Sequence, residues 1–242
     1  MLLRKIGSTG HPPQTGFSVT NVRNKILDSA QKCFRELGIR QTSVLDIVAA
    51  AGIGRSTFYR QFRDLDDILV TLAAQTFIAR LPAFAVVLTR ADLPPRERWR
   101  DFLAAIVENG QVTDADNPLR GEDINLHVTR LYYGAYPDKH EQTIGAMVPL
   151  IEAGKEANEL RTDVASTRIA EWILRQTWAL SSLPMSLRWE RSELNDYIET
   201  FVLPSLLHRD TTVGGDSATQ RLSDEVDRLA RLVTRLETQG SE

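Results

Sequence analysis

One short predicted helix of this chain carries several hydrogen-bond donors and no carboxylate. From Arg55 to Arg63 the sequence reads RSTFYRQFR. Phe58 and Phe62 lie one helical turn apart, so they share one face. The opposite face shows Arg55, Ser56, Tyr59, Arg60 and Arg63, with Thr57 at its edge, and all six side chains can donate hydrogen bonds. Phosphate oxygens and guanine edges present acceptors, so this face suits contact with duplex DNA.

The residues before that helix supply the support that a helix-turn-helix requires. A second short helix is predicted to begin at Ser43, with Asp46 completing a capping box, and to end at Gly52. Gly52 can adopt the positive φ of a sharp turn, and Gly54 can cap the next helix, although it has no side-chain acceptor. In such a motif the first helix braces the backbone and the second lies in the major groove. The pattern alone leaves open a plain helical hairpin with a solvated basic face.

The rest of the chain predicts helix after helix, so the expected fold class is all-α. The first helix shows apolar residues at helical spacing and ends near Gly38: Val22, Ile26, Ala30, Phe34 and Leu37. A fourth helix is predicted over 66–80, and others at about 95–111, 120–135, 138–158, 164–182 and 190–208. A small core around the helix-turn-helix is expected from Phe34, Leu37, Ile47, Val48, Ala51, Ile53, Phe58 and Phe62.

The charge is distributed unevenly between the two parts of the chain. The net formal charge is −3, yet residues 1–80 hold eleven Lys/Arg against six Asp/Glu, and the remainder holds eighteen against twenty-six. A basic end joined to an acidic body indicates that only the N-terminal part meets a polyanion. The single cysteine, Cys33, allows no internal disulfide, which favours a cytoplasmic protein. No signal peptide or membrane span is expected.

The stretch from Val22 to Leu69 resembles the DNA-binding domain of the tetracycline-repressor (TetR) family. The matching elements are ILDSAQKCFRELG, TS, DIVAAAGIGRSTFYRQF and the DDIL that opens the fourth helix, in order and at fitting spacing. In the body, the similarity is limited to the segment ELRTD at 159–163 and to its helical character. The resemblance implies DNA contacts by Thr42, Ser43, Arg55, Ser56, Thr57, Tyr59, Arg60 and Arg63.

Three positions depart from the family pattern. Gly54 stands where a capping serine is usual, Leu65 where a lysine is common, and Val48 where alanine is usual at the helix crossing. Glycine as a cap costs a few tenths of a kcal/mol relative to serine. Leu65 removes one expected phosphate contact. None of the three removes the fold or the donor face, so the arginines are expected to matter more.

Composition and helical pattern predict the organisation of the whole chain, and the resemblance predicts the task of each part. The chain is expected to have a disordered arm over 1–18, a helix-turn-helix DNA-binding domain over 19–80 with helix 66–80 as connector, and an effector-binding and dimerisation domain over 81–208. A linker over 209–218 and an amphipathic helix over 219–239 follow. That last helix has an apolar heptad seam at Leu222, Val226, Leu229, Val233 and Leu236. The seam is compatible with packing on its own body, a short coiled coil across a dimer axis, or a frayed tail.

Dimerisation and effector sensing are the two tasks that the resemblance assigns to the body. The last two body helices are expected to pair with their mates through Ile169, Ile173, Leu180, Tyr197, Ile198 and Phe201, although these faces also suit an intramolecular core. Two-fold symmetry then implies a palindromic operator. Candidates to line an effector cavity are Trp99, Phe102, Ile106, Leu126, Arg130, Tyr133, Met147, Trp172 and Trp178, which also suit plain core. The expected effector is a small apolar or aromatic molecule, with Arg130 favouring an acid group.

Enzymatic and metal sites find little support in the sequence. The four histidines lie far apart, no nucleophile motif is present, and Asp123 with His127 is typical of a surface hydrogen bond rather than a metal site. No cofactor or metal is expected. Two hypotheses of different classes remain. One is a ligand-responsive regulator, by resemblance a repressor, that binds duplex DNA as a homodimer. The other is a helical dimerisation or interaction module without DNA binding.

Overall fold

The computed structural model describes residues 19–111, 122–182, 189–208 and 216–240. Over these ranges the chain is helical, and its β structure is a single antiparallel bridge between Leu160 and Leu207. The helices are α1 (Val19–Leu37), α2 (Val44–Ala51), α3 (Arg55–Tyr59), α4 (Leu65–Ala85), α5 (Pro95–Gln111), α6 (Glu122–Tyr133), α7 (Pro137–Glu156), α8 (Ser166–Ser181), α9 (Arg191–Tyr197) and α10 (Asp216–Gly240). The all-α class is confirmed. The expected arm over 1–18 and most of the expected linker over 209–218 lie outside the described residues.

The N-terminal helices pack around a small core, as their apolar spacing predicts. Ile26, Phe34, Ile47, Phe58 and Phe62 are almost fully buried in one cluster. The expectation that Leu37 joins this core is wrong, since its side chain is 47% exposed. Leu37 is the last residue of α1, and the chain reverses directly after it through Gly38, whose φ is +85°.

The connector helix α4 is longer than its predicted range of 66–80. It begins at Leu65 after an N-cap by Asp64, whose side chain accepts a hydrogen bond from the Asp67 amide, and it continues to Ala85. Pro82 lies inside it; this residue lacks an N–H and so removes one helical hydrogen bond. Leu81 and Ala85 on either side are fully buried in the body core, and this packing favours continuation of the helix.

One stretch of the described chain, Leu65–Thr89, passes a test of length and apolarity for a membrane-spanning helix. It corresponds to α4 and the 3₁₀ turn Val86–Thr89 that follows. The test concerns length and composition alone, so it does not overturn the expectation of no membrane span. Core helices of soluble proteins pass the same test, and α4 packs against α6, α7 and α10.

The body core lies between α4, α5, α7, α8 and α9. Its largest buried side chains include Trp99 and Phe102 of α5, whose rings meet edge-on with centroids 5.7 Å apart. The helix predicted at 190–208 is interrupted. α9 passes into a π turn over Ile198–Val202 and a 3₁₀ turn over Leu203–Ser205, where Pro204 cannot continue an α-helical ladder.

The C-terminal helix α10 packs on its own body. Leu222, Val226 and Leu229 are buried in the body core, and Arg221 Nη1 donates to the Glu156 carbonyl at 2.8 Å. Leu232, beyond them, is 44% exposed. The first half of the heptad seam is therefore buried against the body of the same chain, as the first of the three alternatives predicted. Little of the seam is left for a coiled coil.

Candidate nucleic-acid interface

Local hydrogen bonds fix the start of α2. Ser43 is its N-cap, and the reciprocal capping box with Asp46 is present as predicted. The Ser43 amide donates to Asp46 Oδ2 at 2.8 Å, and the Ser43 hydroxyl donates to the same oxygen at 2.6 Å. The serine hydroxyl thereby lowers the pKa of the Asp46 carboxyl below its usual range. Ser43 is exposed beside the turn, and its hydroxyl proton is engaged by Asp46.

The turn between α2 and α3 uses its two glycines differently. Gly52 adopts φ +58° and ψ +40°, the left-handed conformation that ends α2. A Cβ there would meet no atom within 4 Å, so the requirement for glycine is conformational rather than steric. Gly54 is the N-cap of α3 and supplies no side-chain cap, as expected. The N–H groups of the first turn of α3 thus lack that internal acceptor, which suits an anion.

Helix α3 separates a core face from a donor face. Phe58 and Phe62 are buried, with ring centroids 6.2 Å apart. Tyr59 is 58% exposed, and Arg55, Ser56 and Arg60 are exposed with it. Arg60 Nη2 donates to Thr57 Oγ1 at 3.1 Å, which orients the guanidinium along the helix surface. The structure therefore brings the predicted donors of α3 together on one solvent-facing surface.

Two predicted DNA-contacting residues lie elsewhere. Thr42 is 5% exposed, and its hydroxyl donates to the Gly38 carbonyl at 2.8 Å, so that side chain is committed to the protein. Arg63 lies beyond the end of α3, which stops at Tyr59 rather than at Arg63. Its guanidinium carbon sits 4.1 Å from the centroid of the Tyr136 ring, against the body. Burial accounts for the correction of Thr42, whereas the Arg63 side chain is still 55% exposed and its contact with DNA stays a prediction.

A small cavity lies between α4, α5, α6 and α8. Its volume is about 100 Å³, and it is lined by Ala73, Thr76, Phe77, Ile106, Asn109, Gly110, Val128, Thr129, Tyr132, Trp178 and Ser181. Apolar and aromatic side chains form most of the wall, with hydroxyl and amide groups among them. No lining residue carries a formal charge. At its floor the Tyr132 and Trp178 rings stack with centroids 4.9 Å apart and an interplanar angle of 11°.

The nine predicted effector residues are not brought together. Ile106 and Trp178 line the cavity, whereas Trp99, Phe102 and Met147 are fully buried in the body core. Leu126, Arg130 and Tyr133 are exposed. The expectation that Arg130 lines a pocket and binds an acid group there is therefore wrong. Trp172 lines an open groove of about 370 Å³ with Arg168 and Arg175 on the outside of α8. The sequence analysis named Tyr133 where the structure places Tyr132 in the cavity wall. The two are adjacent, and only the exact rotation of α6 determines which of them faces the cavity.

The predicted dimerisation residues also divide. Ile169, Ile173 and Ile198 are at most 3% exposed within the chain itself, so they serve its own core. Leu180 and Tyr197 are half-buried, and Phe201 is 64% exposed. The three isoleucines therefore belong to an intramolecular core, which was the alternative to a dimer interface. Only the outer edge of this face remains accessible to a second molecule.

Nothing in the described part of the chain groups three or more metal-binding side chains. His127 Nε2 lies 3.1 Å from Asp66 Oδ1 on α4, in the surface contact typical of such a residue. Cys33 is buried, and burial raises the pKa of its thiol, which favours the protonated form. The side chain of Asp123 lies outside the described residues.

Comparison with known proteins agrees with this geometry. Residues 26–72, which include α2, the turn and α3, match the family described as bacterial regulatory proteins, tetR family. Over these residues the chain has the helix-turn-helix domain of the tetR family. The members of that family are regulatory proteins. The matched stretch ends within α4, so it covers the helix-turn-helix and little of the body.

Similarity to individual proteins extends over the body at low identity. The chain is 23% identical to the HTH-type transcriptional repressor DhaR of Mycobacterium sp. strain GP1, over 82% of this chain and 98% of that protein. It is 24% identical to the repressor KstR2 of Mycobacterium tuberculosis, over 72% and 83%. Among solved structures, AlkX from Dietzia sp. strain DQ12-45-1b has a TM-score of 0.53 at 14% identity, over 75% and 93%. RolR in complex with resorcinol has a TM-score of 0.55 at 18% identity, over 85% and 94%.

Proposed function

We propose that this chain is a dimeric transcriptional repressor that binds an operator through α3 and releases it when a small molecule occupies the body cavity. The observation that carries the proposal is the α3 surface, where Arg55, Ser56, Tyr59 and Arg60 are exposed opposite a buried Phe58. Repressor is the activity named for the DhaR and KstR2 relatives. In this proposal residues 19–80 bind DNA, 81–208 sense and dimerise, and the protein acts in the cytoplasm, where bacterial DNA lies.

Salt-dependent binding to duplex DNA tests this function. The logarithm of the association constant should fall linearly with the logarithm of salt concentration, by about 0.9 for each phosphate contacted. A dimer with several contacts should lose about 10³–10⁵-fold in affinity between 50 and 200 mM salt. The probe is a duplex that the wild-type chain enriches from a random-sequence pool, compared with an unselected duplex. No binding at low salt would refute the proposal and favour an interaction module.

The outer face of α8 and α9 is proposed as the dimer interface. The ring centroids of Tyr197 and Phe201 lie 5.2 Å apart, and those of Trp189 and Tyr197 lie 4.6 Å apart, so an aromatic cluster lies along α9 and the residues on either side of it. Phe201 is its exposed member. The adjacent groove on α8 is basic, through Arg168 and Arg175. Glu193 and Asp196 on α9 are exposed. An isologous pairing can therefore place acidic α9 against basic α8 around an aromatic centre.

Phe201→Arg is expected to weaken this dimer. Loss of a central aromatic contact typically costs about 2 kcal/mol or more, which is about a 30-fold rise in the dissociation constant of the dimer. Sedimentation velocity across a dilution series measures the shift. Leu126→Arg, at an exposed site on α6 outside the proposed face, is the matched control. An unchanged dimer in the Phe201 variant would place the interface elsewhere.

The cavity is proposed to take a small neutral aromatic molecule. Its volume of about 100 Å³ is well below the 300–1,000 Å³ of drug-sized sites, so a single ring is a reasonable guest. The wall offers ring-stacking by Tyr132 and Trp178 and hydrogen bonding by Thr76 and Ser181, without a charged partner for an acid. Binding there would bias α4, because Ala73, Thr76 and Phe77 belong to that helix, and would shift the population away from the DNA-competent spacing.

A thermal-shift series checks the ligand class. Phenol and resorcinol (the latter is the ligand held by RolR) should raise the melting temperature of this chain, and benzoate at equal concentration should raise it less. At 100 times the dissociation constant the stabilisation is about 2.7 kcal/mol. Ala73→Leu, which fills part of the cavity, should reduce the shift. A response equal for benzoate and phenol, or absent for all three, would contradict the assignment.

A further inference from the structure

The segment just after α3 is held by the body rather than left free at the DNA face. Arg63 Nη1 donates to the Ala135 carbonyl at 3.4 Å, and its Nη2 lies 3.5 Å from Asp138 Oδ1. The planar guanidinium covers the Tyr136 ring at 4.1 Å. Its Nε is also 3.6 Å from Asp67 Oδ2. Arg63 thus has four partners, three of them on the segment between α6 and the first turn of α7.

A second bond joins the same body segment to the start of α4. The Tyr136 hydroxyl donates to Asp64 Oδ1 at 2.5 Å, and that oxygen also accepts the Asp67 amide at 2.8 Å as the N-cap of α4. Asp67 Oδ2 accepts the Arg63 amide at 3.0 Å. Burial and the Asp64 carboxylate raise the pKa of Tyr136, so its hydroxyl stays protonated and remains a donor. Tyr136 itself is only 3% exposed.

The position of this contact allows the body to act on both α3 and α4. Arg63 and Asp64 are the last two of the five residues, 60–64, between the recognition helix α3 and the connector α4. Tyr136 is the residue immediately before α7, three residues beyond the end of α6. Four residues earlier, Tyr132 lines the cavity, and its hydroxyl donates to the Val70 carbonyl of α4 at 3.1 Å. One short segment of the body therefore touches both the cavity wall and the base of the recognition helix.

We propose that Arg63, Asp64, Tyr136 and Asp138 form a clasp by which the body sets the orientation of α3, and that Arg63 serves this clasp instead of a DNA phosphate. The four are positioning residues, because they act on DNA through α3. The proposal rests on the DNA-binding function proposed above. It reverses the role that the sequence resemblance implies for Arg63, and it predicts that loss of the clasp lowers specificity more than general affinity for DNA.

The salt dependence of binding distinguishes the two roles of Arg63. With the selected duplex, Arg63→Gln should leave the slope of log affinity against log salt unchanged from wild type. Arg55→Gln is the matched control, because Arg55 is exposed on the donor face, and it should reduce the magnitude of the slope by about 0.9 for each recognition helix, or about 1.8 for the dimer. A reduction of about this size in Arg63→Gln would show that Arg63 binds phosphate and would overturn the proposal.

The ratio of affinities for selected and unselected duplex tests the positioning role. Tyr136→Phe keeps the ring under Arg63 but removes the hydroxyl that holds Asp64, and we expect it to lower this ratio about five- to tenfold without changing the slope. Asp138→Asn, at an exposed carboxylate, should lower the ratio about twofold without affecting folding. A partly unfolded variant would lose affinity for both duplexes equally and leave the ratio unchanged.

The outcomes separate this proposal from the one on which it rests. Wild-type-like ratios in both Tyr136→Phe and Asp138→Asn would overturn the clasp while DNA binding by the wild-type chain still stands. Absence of duplex binding by the wild-type chain would overturn the proposed function and the clasp with it. Reduced ratios together with an unchanged Arg63→Gln slope would support both.

Discussion

Replacing Arg55 and Arg60 together with alanine is expected to abolish sequence-specific binding to DNA while the protein stays folded. Both side chains are exposed on the donor face of α3, one at its first residue and one at its C-terminal end. A base-reading arginine, the role expected of Arg60, is worth about 1–3 kcal/mol of discrimination, so its loss from both recognition helices of a dimer should cost about 2–6 kcal/mol. Loss of the phosphate contact expected of Arg55 weakens binding to every duplex in addition. Because neither side chain is buried, the free energy of unfolding should change by less than about 0.5 kcal/mol.

The measurement is competition between the selected duplex and an unselected duplex at fixed salt. Arg228→Ala is a suitable control, since Arg228 lies on α10 with 65% of its side chain exposed and has the same charge. The control variant should bind like wild type. If the Arg55 and Arg60 variant kept the specificity of wild type, α3 would not be the helix that reads the groove.

Removing Arg98 is expected to have the largest effect on stability. Arg98 of α5 and Glu159, after α7, are both about 1% exposed and paired with each other. Arg98 Nη1 also donates to the Leu88 carbonyl at 2.9 Å and to Thr219 Oγ1 of α10 at 3.1 Å, and the Trp99 indole donates to Glu159 Oε2 at 2.8 Å. Arg98→Met leaves the Glu159 charge buried without its partner. Such a break costs about 3–5 kcal/mol.

The loss in Arg98→Met should depend on pH in a defined direction. Burial raises the pKa of Glu159 in the folded protein above its ordinary value of 4.5, although Arg98 opposes this shift. A raised pKa stabilises the fold below pH 4.5, where the carboxyl is neutral, and that stabilisation is lost as pH rises through the folded pKa. Without Arg98 the pKa should rise further. The destabilisation should therefore be large at pH 7 and much smaller near pH 4.

Urea unfolding at the two pH values, at one fixed protein concentration, measures this effect. The double variant Arg98→Met with Glu159→Gln is the informative control, because it removes both charges and keeps an oxygen that can accept from Trp99. It should be more stable at pH 7 than the single variant and should lose the pH dependence. A single variant equally destabilised at both pH values would mean that the buried charge of Glu159 is not the cause.

The sequence was sufficient wherever a structure depends on a few consecutive residues. Ser43 with Asp46, the left-handed Gly52 and the one-turn spacing of Phe58 and Phe62 all predicted the helix-turn-helix correctly. Each depends on local geometry: a cap needs an acceptor at a fixed position, a tight turn needs a residue without a Cβ, and a helix face repeats every 3.6 residues. The donor face of α3 follows from the same helical periodicity.

Helical periodicity identifies an apolar face but does not say what covers it. Ile169, Ile173 and Ile198 were predicted to meet a second molecule, but α5 and other parts of the same chain cover them. The seam of α10 was likewise compatible with three arrangements until its packing on the body selected one. Such faces have the same hydrophobicity whether the covering surface belongs to the same chain or to another, so the sequence leaves the two alternatives equal.

Arg63 is the residue for which the local sequence pattern and the tertiary structure indicate different roles. As a sequence element it belongs to the row of donors that begins at Arg55, and that row alone assigns it to DNA. The end of α3 at Tyr59 changes the direction in which it points, and Tyr136, 73 residues away in the chain, supplies the surface it covers. The donor chemistry of the interface was therefore determined by the sequence by itself, because residue type and helical phase suffice for it. Which of those donors also bond to distant parts of the chain, as Arg63 does, was decided by packing between distant segments.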